Sequence, residues 1–312
     1  MIVSPRISHL QRTAEDYSIR LLERLRRISN RPPRSYGFEY EWIARDAMGL
    51  AEMKAVTSLL TEGMGYRWEE GQLVSGARRI VFEPGGQIEF LSPPLPPGPG
   101  AALTGLLEWI DEVLDAIRRG TGIEYLGRGY SPGRAEAPLL LRGERYTSMH
   151  RRFGSSGSMG WEMMKGTAAI HLHASILDID ELPELFESLR KLAEGPLSMS
   201  PRRRQIWCST DECRCGMPPV ERGVTEPLEV VRPMVRQALE AVKLGGELPF
   251  IEIPGLGFDS FLDHFTTMFT DIRLNLKGGT LELRTQDSVP LTMFEDVWSL
   301  FTSHVERALP SR

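Results

Sequence analysis

Cysteine is scarce in this sequence, and its scarcity argues against a small protein held together by disulfides. There are three cysteines, Cys208, Cys213 and Cys215, and an odd number argues against a disulfide framework. Their spacing also differs from the paired C-x-x-C knuckles that bind zinc. Packed or exposed thiols are therefore the favoured interpretation, and a zinc site completed by His171 or His173 is the alternative.

Long apolar runs and an excess of positive charge are also missing. No stretch approaches the ~18 consecutive apolar residues of a membrane-spanning helix, and the first residues lack the apolar segment of a signal peptide. The net charge of −5 provides no overall field that would attract nucleic acid. We therefore predict a cytoplasmic protein that binds neither a membrane nor nucleic acid.

The length and composition allow a large hydrophobic core. The chain has 312 residues, of which 41% are hydrophobic and 25% charged, as in ordinary globular proteins. Its length would allow about two domains, but the composition does not change across the proline- and glycine-rich connector at 93–100. We also find no internal repeat. We therefore predict one domain over residues 1–312.

Hydrophobic periodicity predicts a mixture of helices and strands. An amphipathic helix is predicted at about 8–29, with an arginine-rich outer face. Further helices are predicted at about 51–64, 102–119, 179–193, 227–244, 259–268 and 291–309. Strands are predicted at 34–43, 167–176, 249–253, 271–275 and 280–284, with a hairpin at 82–95 and a flexible loop at 145–160.

Acidic side chains recur on one face of these predicted strands. Glu39 and Glu41 alternate with aromatic residues, and Glu83 and Glu89 stand at the two ends of a hairpin that turns at Gly85-Gly86. Carboxylates that share a small volume repel one another unless a cation lies between them, and hard oxygen ligands suit Mg²⁺. Solvated glutamates on exposed strands are the alternative.

Histidine and arginine add further candidates. His171 and His173 share one face of a strand, which suits a site or, alternatively, a pair of satisfied, partly buried histidines. Arginines beside the Gly/Ser tract of 145–160 can hold phosphate or carboxylate oxygens, unless the loop is merely mobile. Arg202–Arg204 followed by Trp207 could contact RNA, although the acidic composition argues against this reading.

Several short motifs also occur in order along the chain. They are Gly37-x-Glu39-x-Glu41, Glu83-Pro-Gly-Gly-Gln-x-Glu89, Met163-Met164 before His171, Leu197-Ser-Met199, Ile206-Trp207, Gly216-Met217-Pro218, Asp271-Ile-Arg273-Leu and Leu281-Glu282-Leu-Arg284. This series resembles the glutamate–cysteine ligase superfamily, and in particular its plant and proteobacterial branch, for which the Glu-Pro-Gly-Gly-Gln block is specific. The resemblance extends from about Tyr36 to Asp287.

The resemblance implies an α+β fold similar to the catalytic domain of glutamine synthetase, with a curved antiparallel sheet forming a funnel and helices packed outside. It also implies ATP-dependent joining of a carboxylate to an amine, with Mg²⁺ or alternatively Mn²⁺ as the metal. The expected partners are ATP and amino-acid substrates, and the expected assembly is a monomer or homodimer. The chain lacks a Walker glycine loop, but metals and arginines can bind phosphates instead.

The resemblance further implies roles for individual residues. The implied metal ligands are Glu39, Glu41, Glu89, His171 and Glu282, with Glu83 as an additional acidic candidate. Arg284 and Arg152 are implied to be catalytic, and Arg151, Arg273 and Arg284 to contact the nucleotide. The implied substrate contacts are Arg203, Trp207, His173 and Met149, with Arg203 preferred to Arg202 and Arg204 for its spacing to Trp207.

The sequence departs from the family pattern in two places. The family's Pro-Lys-x-Gly-Ser stretch becomes His150-Arg151-Arg152-Phe153-Gly154-Ser155, and its Gln-x-Asn becomes His171-x-His173. The amine therefore stays open, with cysteine as the default and another amino acid, a peptide or a specialised metabolite as alternatives. A non-catalytic descendant that binds nucleotide or amino acid is a further alternative.

Overall fold

The computed structural model describes residues 5–28, 31–156 and 159–309. Residue 29 of the predicted first helix, Gly157 and Ser158 of the predicted loop, and both ends of the chain lie outside the described residues. The α-helices are α1 Pro5–Arg27, α2 Leu50–Ser58, α3 Ala101–Thr121, α4 Glu144–Ser156, α5 Gly160–Gly166, α6 Leu182–Glu194, α7 Pro201–Cys208, α8 Pro227–Glu240, α9 Phe258–Phe265 and α10 Leu291–Ala308.

The strands form one large sheet and one small one. They are β1 Tyr36–Ala44, β2 Arg67–Glu69, β3 Gln72–Ser75, β4 Arg78–Phe82, β5 Ile88–Leu91, β6 Tyr125–Leu126, β7 Ala169–Ser175, β8 Cys215–Gly216, β9 Phe269–Thr270, β10 Ile272–Asn275 and β11 Thr280–Asp287. The large sheet has the order β10-β11-β7-β1-β5-β4-β3-β2, with β6 also paired to β1, and all of its pairs are antiparallel. The strands β8 and β9 form a separate parallel pair. The predicted α+β class and antiparallel sheet are confirmed.

The sheet is open, because β10 and β2 are its edge strands and the described residues show no pairing between them. The strands β1, β7 and β5 lie next to one another in its middle. The side chains of these central strands therefore occupy the part of the sheet that is most shielded from its edges. None of the helices in the described ranges combines the length and apolar composition that crossing a membrane would require.

One face of the sheet is apolar because residues of one parity in each strand are large and hydrophobic. Ile170, Tyr40, Phe90, Ile80 and Leu73 follow one another across five neighbouring strands in the paired register. All five are fully buried, and burying a side chain of this size contributes about 2 kcal/mol. This face forms part of the main core, so the residues of the opposite parity face the other way.

Two helices cover the apolar face through aromatic contacts. Phe294 of α10 lies 4.7 Å from the ring centroids of both Phe38 and Tyr40. Trp109 of α3 meets Phe90 edge-on at 5.3 Å. The predicted alternation of aromatic and acidic residues in β1 is therefore confirmed, and it explains how one strand serves both the core and the opposite face.

Two local predictions are wrong. The segment predicted as a loop at 145–160 is helical through Ser156, as α4, because the stripe Tyr146, Met149 and Phe153 recurs at helical spacing and buries Met149 and Phe153. The strand predicted at 249–253 is instead a 3-10 turn, Phe250–Glu252. Prolines flank this segment on both sides and lack the N–H group that a strand ladder needs.

His264 is a buried histidine of α9 that packs against α8. His264 is 3% exposed, its ring stacks on Phe250 at 5.0 Å between centroids, and its Nε2 donates a hydrogen bond to the Ala238 carbonyl at 2.8 Å. Burial, together with the nearby charges of Arg214 and Lys243, lowers the pKa of His264 to about 4. His264 is therefore neutral in the folded protein at physiological pH.

We expect His264 to make the fold acid-sensitive. The unfolded chain binds this proton near pH 6.5, whereas the folded chain binds it only near pH 4. The contribution of neutral His264 is therefore complete above pH 6.5 and is lost as the pH falls towards 4. Over that interval the free energy of unfolding should fall by roughly 2–3 kcal/mol more in the wild type than in a His264→Gln variant. Urea unfolding at a series of pH values measures this, and parallel profiles would contradict it.

Candidate functional site

Ionisable side chains occupy the face of the sheet opposite the aromatic core. The register pairs Glu41 with Glu89 and Glu39 with His171. It also pairs His173 with Glu282 across β7 and β11. We call Glu39, Glu41, Glu83, Glu89 and Glu282 together with His171 and His173 the carboxylate cluster. The structure thus brings together all six predicted metal ligands and His173.

His171 lies at the centre of the carboxylate cluster. Its Nδ1 is 2.9 Å from Oε2 of Glu39, 3.8 Å from Oε1 of Glu282 and 4.0 Å from Oε1 of Glu89. Its Nε2 is 3.7 Å from Oε1 of Glu41. One imidazole therefore reaches four carboxylates from four different positions on three strands, which no local sequence pattern could have arranged.

Two of the carboxylates are held in their protonated form. Burial, together with the charges of Glu41 and Glu39, raises the pKa of Glu83 to about 8. Burial also raises the pKa of Glu89 well above its usual range, with Glu39, Glu83 and Glu41 adding to the effect. These shifts combine the cost of burying a charge with the mutual repulsion of neighbouring carboxylates.

Two other carboxylates stay ionised because histidines or arginines face them. Burial would raise the pKa of Glu39, but His171 and His173 outweigh it and lower the pKa well below its usual range. Burial likewise opposes ionised Glu282, but the charges of Arg273 and Arg284 lower its pKa to about 2. The cluster therefore combines fixed negative charge with protonated acids that a cation could ionise.

The donor set fits a divalent cation. Glu39, Glu89 and His171 each offer an atom within 4.8 Å of the other two, and so do Glu39, His173 and Glu282. Nε2 of His173 lies 3.5 Å from Oε1 of Glu39, yet this buried nitrogen has no hydrogen-bond partner of good geometry among the described residues. Carboxylate oxygens suit Mg²⁺ and Mn²⁺, and the imidazoles favour the transition metal of the two.

Two arginines hold Glu282. Arg273 contacts both carboxylate oxygens of Glu282, at 2.8 to 3.0 Å. Arg284 donates to Oε1 of the same carboxylate and is itself buried. Both predicted nucleotide-contacting arginines of this segment therefore lie at the edge of the carboxylate cluster. Glu282 would have to give up one arginine contact in order to bind a metal.

Helices α4, α5 and α7 cover the carboxylate cluster. They enclose a cavity of about 80 Å³, which is small beside the ~300 Å³ of common ligand pockets. Its apolar wall is formed by Pro84, Met149, Met163, Met164, Trp207 and Phe269. The buried Nε1 of Trp207 has no hydrogen-bond partner among the described residues. Of the predicted substrate contacts, Met149, Arg203 and Trp207 therefore line this cavity, and Trp207 offers it a hydrogen-bond donor.

The structure gives Arg203 protein partners. Its guanidinium donates to the carbonyls of Arg284 and Thr285 at 2.9 and 3.0 Å, and to Oδ1 of Asp287 at 3.0 Å. The register of β11 against β7 shifts within this stretch, between Leu283 and Gln286. Arg203 thus satisfies the backbone of an irregular strand, and it also lines the cavity.

The other predicted arginines lie further from the carboxylate cluster. Arg152 of α4 pairs with buried Asp211 at 3.3 Å, and Arg151 is exposed on the same helix. Arg204 pairs with Asp271 at 2.7 Å. Neither Arg151 nor Arg152 of α4 lines the cavity, whereas Arg284 does.

Sequence reasoning missed the residue that ties the acidic hairpin in place. Gln87 accepts a hydrogen bond from the Gly85 N–H at 2.9 Å and donates to the carbonyls of Met164 and Thr167. A Cβ on Gly85 would come within 2.6 Å of the Lys165 backbone. The Gly-Gly-Gln block was visible in the sequence, but its partners lie about 80 residues further along the chain.

Comparisons with known proteins show which family the chain resembles. The model of the family described as glutamate-cysteine ligase family 2 matches residues 35–306. The chain is 26% identical to the chloroplastic glutamate–cysteine ligase of Arabidopsis thaliana over 311 aligned positions, which cover 82% of this chain and 55% of the plant protein. It is 29% identical to glutamate–cysteine ligase EgtA of Mycolicibacterium smegmatis over 249 positions, covering 69% and 57%.

The chain spans about half the length of the curated relatives it matches. Among solved structures, one described as the crystal structure of a novel glutamine synthase homolog covers 96% of this chain and 60% of its own. Its sequence identity is 14% and its TM-score is 0.36.

The partners of Arg203 lead to a stability prediction. Replacing it in an Arg203→Leu variant removes the donors to two backbone carbonyls and one donor to Asp287, which keeps the Ser200 N–H, so the free energy of unfolding should fall by about 3 kcal/mol. Arg202→Leu is the matched control, because Arg202 is exposed on the same helix and should change stability by less than about 0.5 kcal/mol. Urea unfolding measures both variants, and equal losses would contradict the assignment.

Proposed function

We propose, from the premise that the chain belongs to glutamate-cysteine ligase family 2, that it is an ATP-dependent ligase that joins a carboxylate to an amine. The observation that carries the proposal is the carboxylate cluster, in which glutamates from three strands converge on His171 of a fourth. We propose the γ-carboxylate of glutamate as the group that is activated and cysteine as the default amine. We also keep the prediction of a cytoplasmic monomer or homodimer.

The reaction overcomes the poor leaving group of a carboxylate. A carboxylate oxygen attacks the γ-phosphorus of ATP, the bond to the bridging β–γ oxygen breaks, and the products are an acyl phosphate and ADP. The amine nitrogen then attacks the acyl carbon, phosphate leaves with the bonding electrons, and the nitrogen releases a proton. The sum is one amide, ADP and phosphate from one carboxylate, one amine and ATP.

The residues of this chain have separate roles in the proposal. Glu39, Glu89, His171 and their neighbours would hold Mg²⁺ or Mn²⁺, which when bound neutralises charge on the phosphate oxygens. Arg284 lines the cavity and would stabilise negative charge on the transferred phosphoryl group. The helices that close the cavity would exclude water from the acyl phosphate, which water would otherwise hydrolyse.

A second candidate keeps this chemistry and changes the substrate, to another amino acid, a peptide or a small specialised metabolite. It is favoured by the protein contacts of Arg152 and Arg203. The family resemblance implied a catalytic role for Arg152 and a substrate contact for Arg203, but here they pair with Asp211 and the backbone of β11. The apolar methionine and aromatic wall of the cavity would accept a substrate with an aliphatic side chain.

We expect divalent metal to stabilise the protein without nucleotide. Mn²⁺ or Mg²⁺ should raise the melting temperature, because a ligand at a hundred times its Kd stabilises by about 2.7 kcal/mol. In Glu89→Gln the metal-free protein should be at least as stable as the wild type, since a repelled carboxyl is gone, but the metal-induced shift should be smaller. Glu69→Gln, at an exposed position of β2, should keep the full shift. An undiminished shift in Glu89→Gln would contradict the metal assignment.

Turnover tests the proposal directly. Purified protein with ATP and Mg²⁺ or Mn²⁺ should release phosphate only when glutamate and an amine are both present, and a panel of amines identifies the acceptor. Glu282→Gln should reduce turnover by about 100-fold or more, whereas Glu69→Gln should retain it. Phosphate release that needs no glutamate would favour the second candidate, and no carboxylate-dependent release with any amine would refute both.

A further inference from the structure

Helix α4 separates two cavities. Met149 lines the small cavity at the carboxylate cluster. Its neighbour Ser148, with Glu144 and Arg145 from the preceding turn, lines a second cavity of about 590 Å³ on another side of the helix. The far wall of this second cavity comes from the chain after α8 and from α9 with the residues that follow it. The proposed catalysis uses nothing in this second cavity.

Four charged side chains of both signs line the second cavity. Arg145 and Lys243 are cationic, and Glu144 and Asp263 are anionic. In the described ranges of the chain no ion pair within 4.0 Å involves any of the four, although Arg145 contacts the Thr266 carbonyl at 3.4 Å. Lys243 is half-buried, whereas Glu144, Arg145 and Asp263 are exposed. Such groups favour a ligand that supplies the missing charges.

The same cavity borders an unpartnered buried acceptor. His264 lines it, and its Nε2 carries the hydrogen that is donated to Ala238. The ring is neutral, so Nδ1 has a free lone pair, and this buried atom has no hydrogen-bond partner among the described residues. A ligand group that donates hydrogen bonds, such as an ammonium, would satisfy it. Leu244 and Leu256 add apolar surface nearby.

We propose that this second cavity binds a free α-amino acid with an aliphatic side chain. Its carboxylate would pair with Lys243 and Arg145, its ammonium with Asp263, and its side chain would contact Leu244 and Leu256. The equal numbers of cationic and anionic groups favour a zwitterion, because a phosphate or another polyanion would face Glu144 and Asp263 without compensation. The volume also falls in the ~300–1,000 Å³ range of small-molecule sites.

Binding in the second cavity affects the carboxylate cluster through α4, which lines both cavities. An amino acid held between Arg145 and the opposite wall ties down the N-terminal turns of α4. The next part of the same helix carries Met149 into the cluster cavity and Arg152 to Asp211. The amino acid thus stabilises α4 in its position against the carboxylate cluster. Binding itself does not require the proposed ligase activity.

Calorimetry without ATP or metal tests the binding, with L-leucine as the probe. Isoamylamine and isocaproate are matched ligands that lack the carboxylate and the ammonium respectively, and both should bind at least about 10-fold more weakly. The variants Lys243→Met and Asp263→Asn should each weaken L-leucine by a similar factor. Lys277→Met and Asp259→Asn, at exposed positions, are the matched controls and should bind as the wild type does.

The Glu282→Gln variant distinguishes this site from the carboxylate cluster, and it should bind L-leucine normally. Hydrogen exchange should also slow at the amides of residues 144–156 when L-leucine is added to the wild type, but not when it is added to Lys243→Met. The proposal is overturned by absence of binding at millimolar L-leucine, by binding that Lys243→Met and Asp263→Asn leave intact, or by binding that is lost in Glu282→Gln. Unchanged exchange in α4 despite binding would overturn the link to the cluster. Because no turnover is measured, each result stands apart from the outcome of the ligase assay.

Discussion

The burial of several negative charges beside one another is the constraint on which the structure depends. Glu39, Glu41, Glu83 and Glu89 share one face of a sheet and oppose one another's ionisation. A buried carboxylate is tolerated only when it is protonated or faces a cation, and this structure uses both solutions. His171 and His173 support ionised Glu39, two arginines support Glu282, and Glu83 and Glu89 keep their protons. Metal ions would replace this arrangement of partners with a stronger one.

The opposite face of the same strands provides the stability that such a cluster requires. Its side chains are the aromatic and aliphatic row centred on Tyr40 and Phe90, sealed by Phe294 and Trp109. The two faces are not independent, because each strand contributes alternately to both. The position of each carboxylate is therefore set by the packing of the aromatic residues beside it, and a rigid core is what holds like charges a few ångströms apart.

The periodicity of the chain was enough to predict β1, β7, β10, β11 and the hairpin that contains β5, but not the short strands β2, β3 and β6. The alternation in β1 was enough to predict that Glu39 and Glu41 share a face. The convergence on His171 depends on the register of β5, β7 and β11 against β1 or one another, which is set by contacts between distant segments and is not legible in any one strand. Helix α4 was missed because its glycines and serines outweighed a short apolar stripe. The backbone contacts of Arg203 depend on an irregularity in β11 that no spacing to Trp207 could reveal.

The two-residue alternation of β1 also limits which changes this chain can accept over evolutionary time. Substitutions on either face affect that face alone, so the aromatic row and the acidic row can diverge separately. Loss or gain of a single residue between Gly37 and Trp42 would exchange the two rows beyond that point, placing glutamates in the core and rings beside His171. Length variation in such a lineage should therefore accumulate in the connections, such as the proline-rich stretch 93–100, while the central strands keep their residue count even where little of their sequence is shared.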